Sequence, residues 1–297
     1  MHSNAFADYH PFVQFLFFLI VMLFAMLLQH PLLVLIGLMI SFLTALCIGG
    51  GRSLMFILKM IVPSALLIGI INPLFNHAGM TILFYFPNGN PFTAESLIYG
   101  FVSGGMFCTV MLWCLCLWKT VTSDKILYLF GRFTPKTGLL LSMILRFLPQ
   151  FASQFKAVRS AQRCLGRDLD QGNAVRRIRN TVRILSSVIG WSLEHGIETA
   201  DSLKSRGYGT GRRSFFSLYH FEKRDAAVLV VELFCAAVAA TFLISERLEF
   251  FYFPALSELS FHWQDLSCYL SYILLCMLPL LLQWKEVRVW NALRSKI

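Results

Sequence analysis

The chain has 297 residues, 57% of them hydrophobic and only 14% charged, with a formal net charge of +10. An average soluble domain has roughly 45–50% apolar and about 25% charged residues, so this balance excludes an ordinary soluble enzyme. The charges are also unevenly placed: residues 9–51, 60–94, 96–118 and 266–284 contain no Asp, Glu, Lys or Arg.

A helix needs about 20 apolar residues to cross about 30 Å of hydrocarbon, because every backbone N–H and C=O must be paired within the segment once water is excluded. The first charge-free run is long enough for two crossings and is interrupted by His30-Pro31, which predicts helices at 12–29 and 31–48. Gly49-Gly50-Gly51-Arg52-Ser53 reads as a tight turn between helices. It lacks the spacing of a phosphate-cradling loop and follows an apolar helix rather than a strand. A third crossing ends near 74, where Asn72-Pro73, Asn76-His77 and the Pro87-Asn88-Gly89-Asn90-Pro91 cluster give turn signals. A fourth is predicted at 96–118 and two more at 226–245 and 266–284, six in all; 78–86 is also apolar, which leaves room for a count of up to eight. Residues 1–9 hold no Lys or Arg and no small-residue cleavage site follows the first apolar run, so a cleaved leader is not expected. Cys47, Cys108, Cys114, Cys116, Cys235 and Cys276 lie in apolar spans and read as small packing residues. Cys114-x-Cys116 has the wrong spacing for a zinc pair, and no metal site is expected.

The segment 119–224 carries 19 of the 26 basic residues against seven acids, a formal +12, which leaves −2 for the rest of the chain. By the positive-inside tendency this segment faces the cytoplasm. The turn with Arg52 and the tail with Lys285, Arg288, Arg294 and Lys296 then fall on the same side. The 73–93 connection, which has no Lys or Arg, falls outside together with the 246–265 loop, where Glu246, Glu249, Glu258 and Asp265 stand against Arg247 alone. Both termini are therefore expected in the cytoplasm of a multi-pass cell-membrane protein. The expected division is a membrane domain at 1–118, a cytoplasmic domain at 119–224 and a C-terminal membrane region at 225–297.

Attraction to anionic lipid or to nucleic acid would account for the positive sign. Neither accounts for the apolar pattern, in which Val175, Ile178, Val182, Leu185, Ile189, Leu193 and Ile197 recur at spacings of three and four while Arg176, Arg177, Arg179 and Arg183 take other faces. This is the pattern of a long amphipathic helix. A second is predicted from 138 to 165, beginning with the run Leu139 to Leu148, passing Pro149 and continuing through Phe151, Phe155 and Val158. At 1.5 Å per residue each spans about 40 Å, too long for a simple loop and too polar to cross. The expected fold is all-α: a polytopic helical membrane protein with about six transmembrane helices and a cytoplasmic domain of long amphipathic helices.

Catalytic patterns are sparse. Gly207-x-Gly209-x-Gly211 follows a helix, where a dinucleotide loop would follow a strand, and reads as a helix stop. Glu194-His195 lacks a second histidine at the helical offset, and there is no G-x-S-x-G elbow. Glu232, about a third of the way into the fifth span, is either a functional group or a carboxyl facing another helix or water. The most specific stretch is Ala200-Asp201-Ser202-Leu203-Lys204-Ser205-Arg206-Gly207-Tyr208-Gly209. Gly207 suits the left-handed position just past a helix C-terminus, and Arg206 meets the negative end of the helix dipole. A guanidinium held at a helix tip also offers a planar fork of donors to a partner's carboxylates or carbonyls.

That stretch resembles the second coupling motif of the transmembrane (T) component of energy-coupling factor transporters, in which a small residue, Arg and Gly end a long cytoplasmic helix. Earlier in the chain, Arg146-Phe147-Leu148-Pro149 followed by Ala161-Gln162-Arg163-Cys164-Leu165-Gly166 resembles the surroundings of the first coupling motif. Four apolar spans, a basic helical region and a further span or spans fit the same layout, so the resemblance covers about 10–245. It departs at one point. Where the first motif has Ala-Arg-Gly, this chain has Cys164-Leu165-Gly166, with Arg163 and Arg167 flanking the leucine at other angles around the helix.

The resemblance implies a non-catalytic subunit that works with two ABC-type ATPases and a small membrane-embedded substrate-binding (S) component, for uptake of a vitamin or transition-metal ion. Ser205, Arg206 and Gly207 at one helix tip would dock an ATPase, and Cys164, Leu165 and Gly166 with Arg163 and Arg167 would do so at the other. The lipid bilayer is the remaining partner; no cofactor and no nucleic acid are expected. Two alternatives stand beside it. One is an integral membrane enzyme or sensor whose basic region holds an anionic lipid or substrate, and the other is a lipid-anchoring scaffold with no transport role.

Overall fold

The computed structural model describes residues 5–85, 90–133, 135–166, 173–208, 219–245, 250–254, 257 and 263–294. Its helices are α1 (Pro11–Leu27), α2 (Pro31–Phe56), α3 (Val62–Phe75), α4 (Ala94–Thr120), α5 (Ser123–Phe133), α6 (Pro135–Cys164), α7 (Ala174–Ser205), α8 (Lys223–Ile244) and α9 (Trp263–Arg294). The only strands among the described residues are β1 (Ile82–Tyr85) and β2 (Pro91–Thr93). The protein is all-α in class. The chain divides into two units, one formed by residues 1–126 with 219–297 and the other by residues 127–218.

In the first unit, α1 and α2 both open on a proline, whose missing N–H costs nothing at a helix start. The polyglycine stretch separates two helical segments, Pro31–Gly51 and Ser53–Phe75, as the sequence predicts, and does so with a break of one residue. Gly50 leaves helical geometry at φ 60° and ψ −160°, and the chain re-enters helix at once, running through a π-helical turn at Ile57–Ile61 into α3. The apolar stretch around 78–86 does not cross: Ile82–Tyr85 pairs antiparallel with Pro91–Thr93 in a short hairpin, and Phe84 stacks on Phe92 at 4.6 Å. Among the described residues five segments are long and apolar enough to span a membrane, at Pro31–Gly51, Ser53–Phe75, Ala94–Thr120, Lys223–Ile244 and Leu266–Trp290. The expected sixth, α1, is apolar but has 17 residues, the lower end of the spanning range.

Helix α4 packs against α1, α2 and α3, while α9 packs against α2 and α8. The α3–α4 contact is made backbone to backbone. A Cβ at Gly104 would sit 2.5 Å from the Ala65 carbonyl oxygen, and one at Gly100 would sit 2.5 Å from that of Gly69. Ala65-xxx-Gly69 thus faces Gly100-xxx-Gly104 in antiparallel register, the small-residue contact that holds helices together where lipid is as apolar as leucine. At the α1–α4 contact the fully buried Trp113 ring lies edge-on to Phe17 at 5.7 Å and to Phe18 at 6.2 Å. The outward faces stay apolar, with Leu35, Leu43, Leu67, Ile70, Phe101 and Phe234 all exposed, as a surface in contact with lipid requires.

Glu232 lies in α8, which packs on α9 and α1, and it is 0% exposed. Neither of its carboxyl oxygens has a hydrogen-bond partner among the described residues. The carboxyl therefore faces other helices and not water.

Candidate functional site

The second unit is built on α6 and α7. Their contact is aromatic: Phe147 meets His195 at 5.7 Å, and Phe151 meets Trp191 at 5.9 Å with the rings nearly perpendicular. As the α6 partner advances by four residues the α7 partner retreats by four, so the helices run antiparallel and meet near the middle of each. Trp191 and His195, one turn apart, stack on each other at 5.1 Å and form one platform. The sequence reading used His195 only to test for a metallopeptidase pattern and did not use Trp191. The signal that could have found the pair is the spacing of three and four along Ile184, Val188, Trp191 and His195, a second face beside the aliphatic stripe.

The two predicted docking tips share a glycine in the left-handed position whose amide donates to the carbonyl three residues back. In α7 the Gly207 amide donates to the Lys204 carbonyl at 3.0 Å and the Tyr208 amide to the Leu203 carbonyl at 3.0 Å, with Gly207 at φ 76°. This is the Schellman arrangement, in which a glycine without Cβ takes the left-handed position and the last carbonyls are satisfied. In α6 the Gly166 amide donates to the Arg163 carbonyl at 3.0 Å and Gly166 stands at φ 69°. The motifs therefore superpose by role, with Cys164 matching Ser205, Leu165 matching Arg206 and Gly166 matching Gly207. A Cβ at Gly166 would meet nothing within 4 Å, so the residue answers to its backbone angle and not to crowding. Arg163, Cys164, Leu165, Gly166, Ser205, Arg206 and Gly207 are all exposed; Arg167, Gly209 and Gly211 lie outside the described residues. Because the helices are antiparallel, the tips stand at opposite ends of the pair and are not brought together.

The face that α7 turns inward is not its apolar stripe. Asn180 and Ile184 are buried, and Val188, Trp191 and His195 are partly covered. Val175, Ile178, Val182, Leu185, Ile189, Leu193 and Ile197 are instead 45–69% exposed. The periodicity found a real stripe, and the stripe is uncovered. At 1.5 Å per residue it runs for about 33 Å along the helix.

The sequence model of the cobalt transport protein family, CbiQ, matches residues 3–216. The chain belongs to this family. Curated relatives carry the name energy-coupling factor transporter transmembrane protein EcfT. The chain is 32% identical to that of Lactococcus lactis over 95 residues, covering 31% of this chain and 35% of the relative. It is 32% identical to that of Bacillus selenitireducens over 110 residues, covering 36% and 41%. The protein named EcfT 1 of Listeria monocytogenes is 28% identical over 173 residues, covering 52% and 63%. The first two matches thus span only about a third to two-fifths of the relatives' length. Together with the apolar spans, the CbiQ match and the EcfT-named relatives support a multi-pass membrane protein of the energy-coupling factor transmembrane class.

Proposed function

We propose that the chain is the mechanical coupling subunit of an importer, receiving motion from two ABC-type ATPase subunits at the tips of α6 and α7. It passes that motion to a small substrate-binding membrane component that carries a vitamin or transition-metal ion. In this reading the segment 119–224 is the coupling domain and faces the cytoplasm, as do both termini, and ATP is hydrolysed by the partners alone. The observation that carries it is the matched pair of tips, where backbone-capped helix ends hold Leu165 and Arg206 outward at the same position. A cap made of backbone bonds leaves the outward side chain free for a partner. Arg206 provides the fork of donors for an acidic or carbonyl-lined groove, and Leu165 gives the first contact an apolar character.

The uncovered stripe on α7 supports the second half of the reading. A helix with an apolar face 45–69% exposed, flanked by Arg176, Arg177, Arg179 and Arg183, suits a partner that is itself apolar and sits at the inner membrane surface. The S component meets that description. In cells, Arg206→Glu is expected to abolish substrate uptake while the chain still inserts in the membrane. Normal uptake by an assembled Arg206→Glu complex would overturn the proposal.

A further inference from the structure

The chain passes between its two units twice, at 126/127 and at 218/219. On the first-unit side of both passages lies one buried polar knot, and the N-terminal segment 6–14 is its centre. Lys125, on the last turn of chain before the first passage, is only 6% exposed. Its ammonium donates to the Ala7 carbonyl at 2.6 Å, the Gln14 side-chain oxygen at 2.9 Å and the Thr120 carbonyl at 2.9 Å. All three ammonium protons are used, and the Thr120 bond closes the C-terminal end of α4. The Gln14 amide in turn donates to the carbonyls of Phe6, Ala7 and Tyr9 at 2.6–3.0 Å, so the segment is folded around it.

The second passage is held by the same segment. The His10 amide donates to one carboxylate oxygen of Asp225 at 3.1 Å, while the other accepts from the Glu222 amide at 2.9 Å, at the start of α8. The His10 ring lies edge-on to Phe221 at 5.2 Å, and the Arg224 guanidinium lies over the Tyr9 ring at 5.4 Å. Burial raises the Tyr219 phenol, and the charge of Asp124 raises it further. Burial lowers the Lys125 ammonium against the opposing pull of Asp8, which marks the cation as desolvated. Fully used bonds out of water make a stiff joint, because opening it would leave a buried charge without partners.

We propose that segment 6–14 is a clasp that ties both roots of the coupling unit into one body with α1, α4 and α8, with Lys125 and Asp225 as its positioning residues. Motion entering along either passage then moves the three membrane helices together, where separate roots would let α4 and α8 swing apart. The inference rests on the coupling reading given above.

The test uses the complete complex in vesicles, with substrate uptake and ATP hydrolysis measured on the same preparation. Lys125→Met keeps length and volume but removes the donors. It is expected to assemble and to hydrolyse ATP within about twofold of wild type, while substrate imported per ATP falls about tenfold, as for other residues that carry coupling without touching a ligand. Lys125→Arg, which keeps charge and donors, is expected to recover most of that ratio. Asp225→Asn, which keeps an acceptor for the His10 amide, is expected to give a smaller loss, and it carries the test if Lys125→Met does not reach the membrane. An unchanged ratio, or hydrolysis and uptake falling in parallel, overturns the clasp. Failure of the wild-type chain to bind any ATPase would overturn the coupling reading itself, and the clasp with it.

Discussion

Arg206→Ala separates docking from folding, because the cap of α7 is made by backbone groups. The Arg206 amide donates to the Ser202 carbonyl at 3.2 Å, and the bonds of Gly207 and Tyr208 close the end; none involves the Arg206 side chain. The fold loses the favourable placement of a cation at the negative end of the dipole, worth about 0.3–1 kcal/mol and at the lower end here, since the residue is exposed. If the guanidinium is buried and paired against an ATPase, truncation costs on the order of 2–5 kcal/mol at the interface. At 1.4 kcal/mol per factor of ten, that is a loss of roughly thirty-fold to several-thousand-fold in affinity. Titrating labelled ATPase onto the chain in nanodiscs, with thermal unfolding measured in parallel, reads both numbers. The expected result is weakened binding at nearly unchanged stability, with Arg206→Lys intermediate because it keeps charge but not the fork. Wild-type affinity in Arg206→Ala would refute the reasoning, as would a fall in binding that merely follows a fall in stability.

Leu165→Arg places arginine on the α6 tip at the position that arginine holds on α7; since Leu165 is 65% exposed, stability should change by about 1 kcal/mol or less while ATPase affinity rises, read by the same titration. Gly104→Ala should destabilise by about 1–3 kcal/mol in detergent unfolding, because its Cβ would stand 2.5 Å from the Ala65 oxygen. Gly190→Ala, where a Cβ meets nothing within 4 Å, should be neutral or stabilising in the same assay. Glu232→Leu, which replaces a buried carboxyl without partners by an apolar group of similar volume, should stabilise by about 1–3 kcal/mol; a loss of stability would show that the carboxyl has a partner. Leu193→Glu on the uncovered stripe should leave the melting temperature unchanged and abolish copurification of the S component, read by quantitative immunoblot.

Much of the membrane part was legible because two constraints act directly on sequence. Hydrocarbon forbids charge over a spanning length, which marked α2, α3, α4 and α9, while α8 was marked by apolar length despite Glu232, and Pro31 marked the start of α2. The break at the polyglycine stretch was legible because glycine takes a positive φ freely, and Gly50 alone leaves helical geometry there. The hairpin at 82–85 was obscured by its composition, since an apolar run of this length suits a strand as well as a helix. For α7, periodicity reports which face prefers an apolar neighbour and says nothing of who supplies it. Here α6 takes the Trp191 and His195 face and leaves the aliphatic stripe uncovered. The cap at Gly207 was readable because glycine alone takes that angle freely, and Gly166, which came only from the motif resemblance, takes the same angle. The clasp was not, since Lys125 looks like one more member of a basic segment until the fold brings Ala7, Gln14 and Thr120 around it.

The most direct test of the coupling account is to tag the chain, extract it in mild detergent and determine the identity and stoichiometry of what copurifies. The account predicts two nucleotide-binding ATPase subunits and one small membrane protein per chain, with no ATP hydrolysis once the chain is stripped of them. Purification without any ATPase, or turnover of ATP by the isolated chain, would contradict it.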